Sequence, residues 1–361
     1  MADWSGVVES TIKNFIREVE VDVKRNRKWL AKLEADGRIT YNWSGLSMEW
    51  RIQYKRARPK GYADMDTVTF PRRSRHKIAT LDWRAYTHDE SISKFDKLKN
   101  RGPQAIVKML ESKVTDMTEE MEEHFGEELY VDGNASGNGK RIHGVESFMG
   151  SSGVGSSYVA TNSDSYAGLD TTLGAYGGSV LEGTWPTGTF SSEYDFYTPL
   201  LVDYTDAAWA ASTKTWPNTC EEALAYAIIN SMKNTSKRGR INMVILNVEL
   251  YRQFREKLRG KEQINVTQGG GGMGNSLTGL GFGDVVNFEG CEVTYEYGCP
   301  ASTGYGFNTQ QMELRSMQSQ LFDFNTNGEY ESTDKSLRFS IDFFGNMVFR
   351  PRYFFKLKNY T

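Results

Sequence analysis

The sequence is short of the residues on which metal sites, disulfide frameworks and membrane spans depend. It has only 3 cysteines among 361 residues, Cys220, Cys291 and Cys299, an odd number with no CxxC pair. That argues against a disulfide framework and fits reduced thiols used as small core residues. Its 4 histidines, His76, His88, His124 and His143, include no i, i+4 pair that would set two imidazoles around a metal on one helix face. No metal ligand is therefore assigned. No run approaches the roughly 18 apolar residues of a membrane-spanning helix, and residues 1–15 carry Asp3 and Glu9 where a secretory signal has a basic start and an apolar run. Neither a membrane partner nor a signal is expected.

A strong charge of one sign is missing too. The net charge is -3, so the totals demand no nucleic-acid or membrane-surface partner. No GxSxG elbow supports a nucleophilic serine. The stretch 133–141 has a phosphate-loop look, but its glycines are misplaced by one residue and Arg141 stands where a Ser or Thr would hold magnesium. No catalytic or cofactor-binding residue is therefore expected.

What is present is glycine, at 35 residues, and an aromatic share of 13%. This balance favours strands, tight turns and loops over a helical bundle. The length suffices for two domains and for a sizeable core. Over 8–33 the apolar residues Val8, Ile12, Phe15, Val19, Val23, Leu30 and Leu33 recur mostly at three- and four-residue steps, which predicts an amphipathic helix ended by Gly37. Its stripe needs cover from the chain's own body or from a neighbouring subunit.

The period then changes to two. Met48, Trp50, Ile52 and Tyr54 face one way and Glu49, Arg51, Gln53 and Lys55 the other, while Val68, Phe70, Ile78 and Leu81 lie on the way back past Pro59 and Gly61. This reads as a long hairpin, and a two-stranded ribbon cannot cover its own apolar face. Pro103 opens a second long helix with a stripe of Ile106, Leu110, Val114, Met117 and Met121 running to about Phe125. Strands and long loops follow over 126–216. A helix over 221–232, a buried strand Met243-Val244-Ile245-Leu246 and a helix through Tyr251, Phe254 and Leu258 then mark a compact α/β unit, and 336–357 closes the chain as two strands bent near Pro351. The glycine tract 269–274 reads as a loop.

Two charge blocks of opposite sign stand out. Arg51, Lys55, Arg56, Arg58, Lys60, Arg72, Arg73, Arg75 and Lys77 face only Asp64 and Asp66 in the hairpin, whereas the second helix carries Glu111, Asp116, Glu119, Glu120, Glu122 and Glu123. The run 119–128 taken alone is a solvated helix face. Taken together, the blocks are what a self-complementary assembly uses to choose its register. A purely DNA-binding hairpin would leave the acidic helix unexplained.

In this order the elements resemble the major capsid protein of tailed double-stranded DNA bacteriophages. The most specific part is the helix running into Glu128-Leu129-Tyr130-Val131-Asp132-Gly133 and then Lys140-Arg141-Ile142-His143-Gly144-Val145. This is similar to the family's passage after its spine helix. The resemblance implies an α+β fold with an N-terminal arm (1–37), an extended β-hairpin loop (38–88), a peripheral domain (89–216 and 305–342) holding a spine helix at about 103–127, and an axial domain (217–304 and 343–361). It implies a non-enzymatic protein that self-assembles into pentamers and hexamers of an icosahedral shell around phage DNA, found in the virion capsid and assembled in the host cytoplasm. Scaffolding, portal and decoration proteins are further partners compatible with the family, and the packaged DNA is enclosed without tight binding. The expected intersubunit interface comprises Trp50, Arg51, Tyr54, Arg56, Arg58, Lys60, Arg72, Arg73 and Arg75 of the loop, Glu119, Glu120, Glu122 and Glu123 of the helix, and Ile12, Phe15 and Val19 of the arm. Two alternatives stay open: an encapsulin-like bacterial nanocompartment shell, and a β-rich carbohydrate-active enzyme using scattered acids with exposed Trp185, Trp209 and Trp216.

Overall fold

In the computed structural model the described residues are 27–54, 60–72, 74–99, 103–154, 158–172, 197–231, 240–259, 277–278, 282–326 and 336–360. Two sheets organise them. The first is built around one long strand, Ser336–Phe349, which pairs antiparallel with Arg84–Ser93, Asp323–Thr326 and Met312–Ser316; the short strand Ile39–Thr40 adds to Met312–Ser316 in parallel. The 26-residue helix Pro103–Glu128 packs here through the described part of its apolar stripe, residues 114–125. Val114, Met117, Met121 and Phe125 are all buried, and the Phe125 ring meets Phe343 edge-on at 5.1 Å and Phe322 at 5.4 Å.

The second sheet has six strands in the order Val286–Phe288, Cys291–Tyr295, Met243–Leu246, Thr303–Phe307, Phe355–Lys358, Leu200–Asp203. Its central run, Met243–Leu246, is apolar at every position because both of its faces are covered. Met243 and Ile245 belong to the core shared with the first sheet, while Val244 and Leu246 face the helices Trp216–Ser231 and Val248–Leu258. Asn247 caps the second of these helices, its side chain accepting from the Glu249 N–H at 3.1 Å. Cys220, Cys291 and Cys299 are buried free thiols, and burial pushes the first two up to about 11.

Sheet membership moves the expected boundaries. Leu200–Asp203 pairs with the second sheet although it falls inside the expected peripheral segment, and so do residues 305–307 of the strand Thr303–Phe307, which straddles the expected boundary. The chain crosses back only through the turn Pro351–Tyr353, because Ser336–Phe349 stays in the first sheet as a single strand. Strand pairing, which depends on distant partners, sets these limits, and local composition carries little of it.

Of the two covers left open for the arm's stripe, its described end takes the chain's own body. In helix Lys28–Ala35, Trp29, Leu30 and Leu33 are fully buried in the chain's own core. Lys28 Nζ donates to Thr294 Oγ1 at 2.8 Å and to the Tyr295 carbonyl at 2.9 Å, and Lys32 pairs with Glu292 at 3.1 Å. Residues 1–26, with Ile12, Phe15 and Val19, lie outside the described residues.

Candidate intersubunit interface

The ribbon has two parts with opposite solvent relations. At its base, Met48–Gln53 pairs antiparallel with His76–Leu81, and strict alternation buries Met48, Trp50 and Ile52 while Glu49, Arg51 and Gln53 point to solvent. On the return strand Ala79 and Leu81 face inward; Ile78 has the opposite parity and is exposed. The cover comes from the same subunit. Trp50 lies 6.3 Å from the Tyr166 ring, and the Thr80 N–H donates to the Ala167 carbonyl at 3.0 Å. The expectation that Trp50 anchors on a neighbour is corrected accordingly: its strand is closed by the chain's own 166–167 segment. Tyr54 is half-buried, with Lys77 Nζ 5.6 Å over its ring.

The tip behaves differently. Tyr62, Met65, Val68 and Phe70 are exposed, Met65 at 97% and Phe70 at 93%. The turn 63–66 is tied by the Ala63 N–H donating to Asp66 Oδ2 at 2.7 Å and the Asp66 N–H to the Ala63 carbonyl at 3.2 Å. Met65 sits there at φ +68, a left-handed conformation that costs a residue with a Cβ about 1–2 kcal/mol. A large apolar side chain is thus held in solvent by a strained turn. Arg51, Lys60, Arg72 and Arg75 are exposed, and none forms an ion pair among the described residues. Lys55, Arg56, Arg58 and Arg73 lie outside them.

On the long helix, Asp116, Glu119, Glu120 and Glu123 are exposed, and the Glu122 side chain lies outside the described residues. Glu120 is met by His88 Nε2 at 2.6 Å, and Lys113 by Glu90 at 2.7 Å. Of the acids on this face, Glu120 is therefore met within the subunit.

The helix ends in a tight backbone crossing. The Val145 N–H donates to the Leu129 carbonyl at 2.8 Å and the Gly144 N–H to the Val131 carbonyl at 3.0 Å. A Cβ on Gly144 would lie 2.5 Å from the carbonyl oxygens of both Glu128 and Leu129, so only glycine fits. This crossing joins the long helix to the two sheets, and it coincides with the segment on which the sequence resemblance rests.

No protein-family model matches the chain, and no curated protein sequence does. Solved structures do. The capsid of the native GTA particle superposes with a TM-score of 0.54 at 9% identity over 91% of this chain and 91% of that one. The Cyanophage A-1(L) capsid gives 0.53 at 14% identity over 89% and 90%, and the capsid of the empty GTA particle gives 0.51 at 9% over 91% and 90%. The chain has the tailed-phage major capsid fold.

Within this capsid fold the structure adds a buried carboxylate that the sequence reading left on a solvated face. Glu128 is fully buried. It accepts from Tyr86 Oη at 2.6 Å and from Arg141 Nε at 2.7 Å, with His124 Nε2 3.7 Å away. Burial first, and then the Glu128 carboxylate, push the Tyr86 hydroxyl well above its ordinary range, so it stays a donor. Its oxygen in turn accepts from the Ile142 N–H at 2.6 Å. Arg141, the residue that spoiled the phosphate-loop pattern, therefore serves to neutralise the end of the long helix. Further along, Glu146 accepts from Lys356 Nζ at 2.6 Å and from the Tyr305 hydroxyl, tying the capsid fold's second sheet to the same segment.

The two described tryptophans offered for a carbohydrate-active enzyme present no exposed ring face for a sugar. Trp209 and Trp216 are buried, their indole N–H groups donating to the carbonyls of Asp203 at 2.8 Å and Leu250 at 2.9 Å. Trp185 lies outside the described residues. Among the described residues no group of three or more His, Cys, Asp or Glu side chains is placed to hold a metal, and no helix is long and apolar enough to cross a membrane.

Proposed function

We propose that the chain is a major capsid protein that assembles with copies of itself into the pentamers and hexamers of an icosahedral shell around double-stranded DNA. One observation carries this reading: an extended ribbon whose base is fixed in its own core projects apolar residues, Met65 and Phe70 foremost, into solvent. Such residues gain about 1.5–3 kcal/mol each once a neighbour covers them. The overlap with capsid structures over about nine tenths of both chains supports the same reading.

In this proposal the tip lies across an adjacent subunit. The exposed guanidinium and ammonium groups of Arg51, Lys60, Arg72 and Arg75, with Arg56, Arg58 and Arg73, then face the neighbour's Glu119, Glu122 and Glu123 and share Glu120 with His88. Each exposed pair contributes only about 0.2–1 kcal/mol, but several per contact repeated round a closed shell set register and bias assembly. Strands around Ser336–Phe349 and the long helix make the peripheral unit, and the six-stranded sheet with its two helices makes the axial unit. The subunit is non-enzymatic, resides in the virion and assembles in the host cytoplasm.

Electron microscopy of the purified chain, combined with analysis of what the particles hold, tests the proposal. Closed shells from infected cells containing nuclease-resistant DNA are expected. Shells holding a protein cargo and no DNA would assign the chain to a nanocompartment, and a monomer active on polysaccharides would overturn the shell reading altogether.

A further inference from the structure

At the foot of the ribbon, where it meets Met312–Ser316 and the turn at Arg350, lies a pocket of about 150 Å³. Its walls bring together three arginines, Arg38, Arg315 and Arg350, from widely separated parts of the chain, with one carboxylate, Glu313. The acceptors present are already used. Glu313 Oε1 accepts from Thr40 Oγ1 at 2.9 Å and Oε2 from Arg315 Nη2 at 2.9 Å. Gln310 Oε1 accepts from Arg38 Nη2 at 2.7 Å, and Gln311 Oε1 from Arg350 Nη1 at 3.1 Å.

What is left over is donors. Arg315 Nε and Nη1 and Trp50 Nε1 are buried with no acceptor among the described residues, on side chains whose residues are each only 8% exposed. Arg315 Cζ lies over the Trp43 ring, 4.1 Å from its centroid, a cation–π contact that gives the unsatisfied N–H groups no acceptor. A guanidinium keeps its charge at any physiological pH, and its planar fork matches the two oxygens of a carboxylate or phosphate; an indole N–H can only donate. The volume is half or less of the roughly 300–1,000 Å³ of drug-sized ligand sites, which suits a compact anion and is too small for a nucleoside.

We infer that this pocket binds a compact oxyanion, gripped by the free N–H groups of Arg315 and Trp50 and surrounded by the positive charge of Arg38 and Arg350. An acidic side chain of another copy and a free inorganic anion both present this chemistry. The pocket itself does not depend on the shell reading; only the choice of source does.

The test is titration of the full-length, unassembled subunit with inorganic phosphate at constant ionic strength, followed by the ³¹P line width. Saturable binding is expected, weakened about tenfold or more in Arg350→Gln and in Arg38→Gln. Both substitutions leave the Arg315–Glu313 pair and the Trp43 stack in place, and Trp50→Phe, which keeps the ring and removes the donor, should weaken binding as well. Absence of saturable binding by the folded wild type, or equal binding by all four proteins, overturns the assignment. Repeating the titration on assembled shells separates the sources: binding lost on assembly assigns the pocket to a neighbour's carboxylate, and binding retained assigns it to a free anion. A chain that bound phosphate yet never assembled would refute the shell proposal and leave the pocket standing.

Discussion

Replacing Met65 and Phe70 together by serine separates folding from assembly. Both side chains are almost wholly exposed in the single subunit, at 97% and 93%, so their loss should change subunit stability by no more than about 0.5 kcal/mol. Covered by a neighbour, each contributes about 1.5–3 kcal/mol, or about 3–6 kcal/mol for the pair. Every subunit lends one ribbon to the shell, so this whole amount enters the free energy of joining it. At about 1.4 kcal/mol per tenfold, the concentration needed for assembly should rise between about a hundredfold and ten-thousandfold. Light scattering against concentration gives the threshold, electron microscopy identifies the scattering species, and thermal unfolding of the unassembled subunit supplies the control. A threshold within about threefold of the wild type would refute the reasoning. A fall of many degrees in subunit melting temperature would refute it differently, by placing the tip inside its own core.

Three further outcomes are expected. Reversing Arg51, Arg72 and Arg75 to glutamate should slow assembly at low salt with the subunit still folded, and wild type and variant should converge near 1 M salt, where screening shortens to about 3 Å; unchanged kinetics at low salt would count against charge pairing. Burial, with the Arg84 charge next in size, pushes the His143 imidazole down to about 4, so in the window between that value and the ordinary 6.5 the unfolded chain takes up the proton first. Its contribution to stability is complete above that window and falls by about 3 kcal/mol between roughly pH 7 and pH 4; urea unfolding should show this extra loss in the wild type and not in His143→Gln. Gly144→Ala forces a methyl against two backbone carbonyls 2.5 Å away and should cost about 1–3 kcal/mol, measured by the same unfolding assay.

The capsid fold was legible wherever local periodicity decides structure. The parity of Met48, Trp50 and Ile52, the stripe from Val114 to Phe125, the doubly buried Met243–Leu246 strand and the bend at Pro351 all follow from spacing alone. What covers each element was less legible, because cover comes from far along the chain. Trp50 meets Tyr166, Leu30 and Leu33 join a core built mostly from later strands, and Leu200–Asp203 finds its sheet partner at Phe355–Lys358. Glu128 illustrates the same point in charge. It sits in a run of exposed acids, and only the return of Arg141 and Tyr86 to the helix end makes it a buried hub. The arginines around the pocket, at 38, 315 and 350, share no local pattern at all.

A cryo-electron microscopy map of assembled particles bears most directly on the account. Density for residues 60–72 is expected to lie on an adjacent subunit, with Met65 and Phe70 covered there. A map with closed particles in which that segment folds onto its own subunit, or stands in solvent with no neighbour beneath it, would contradict it.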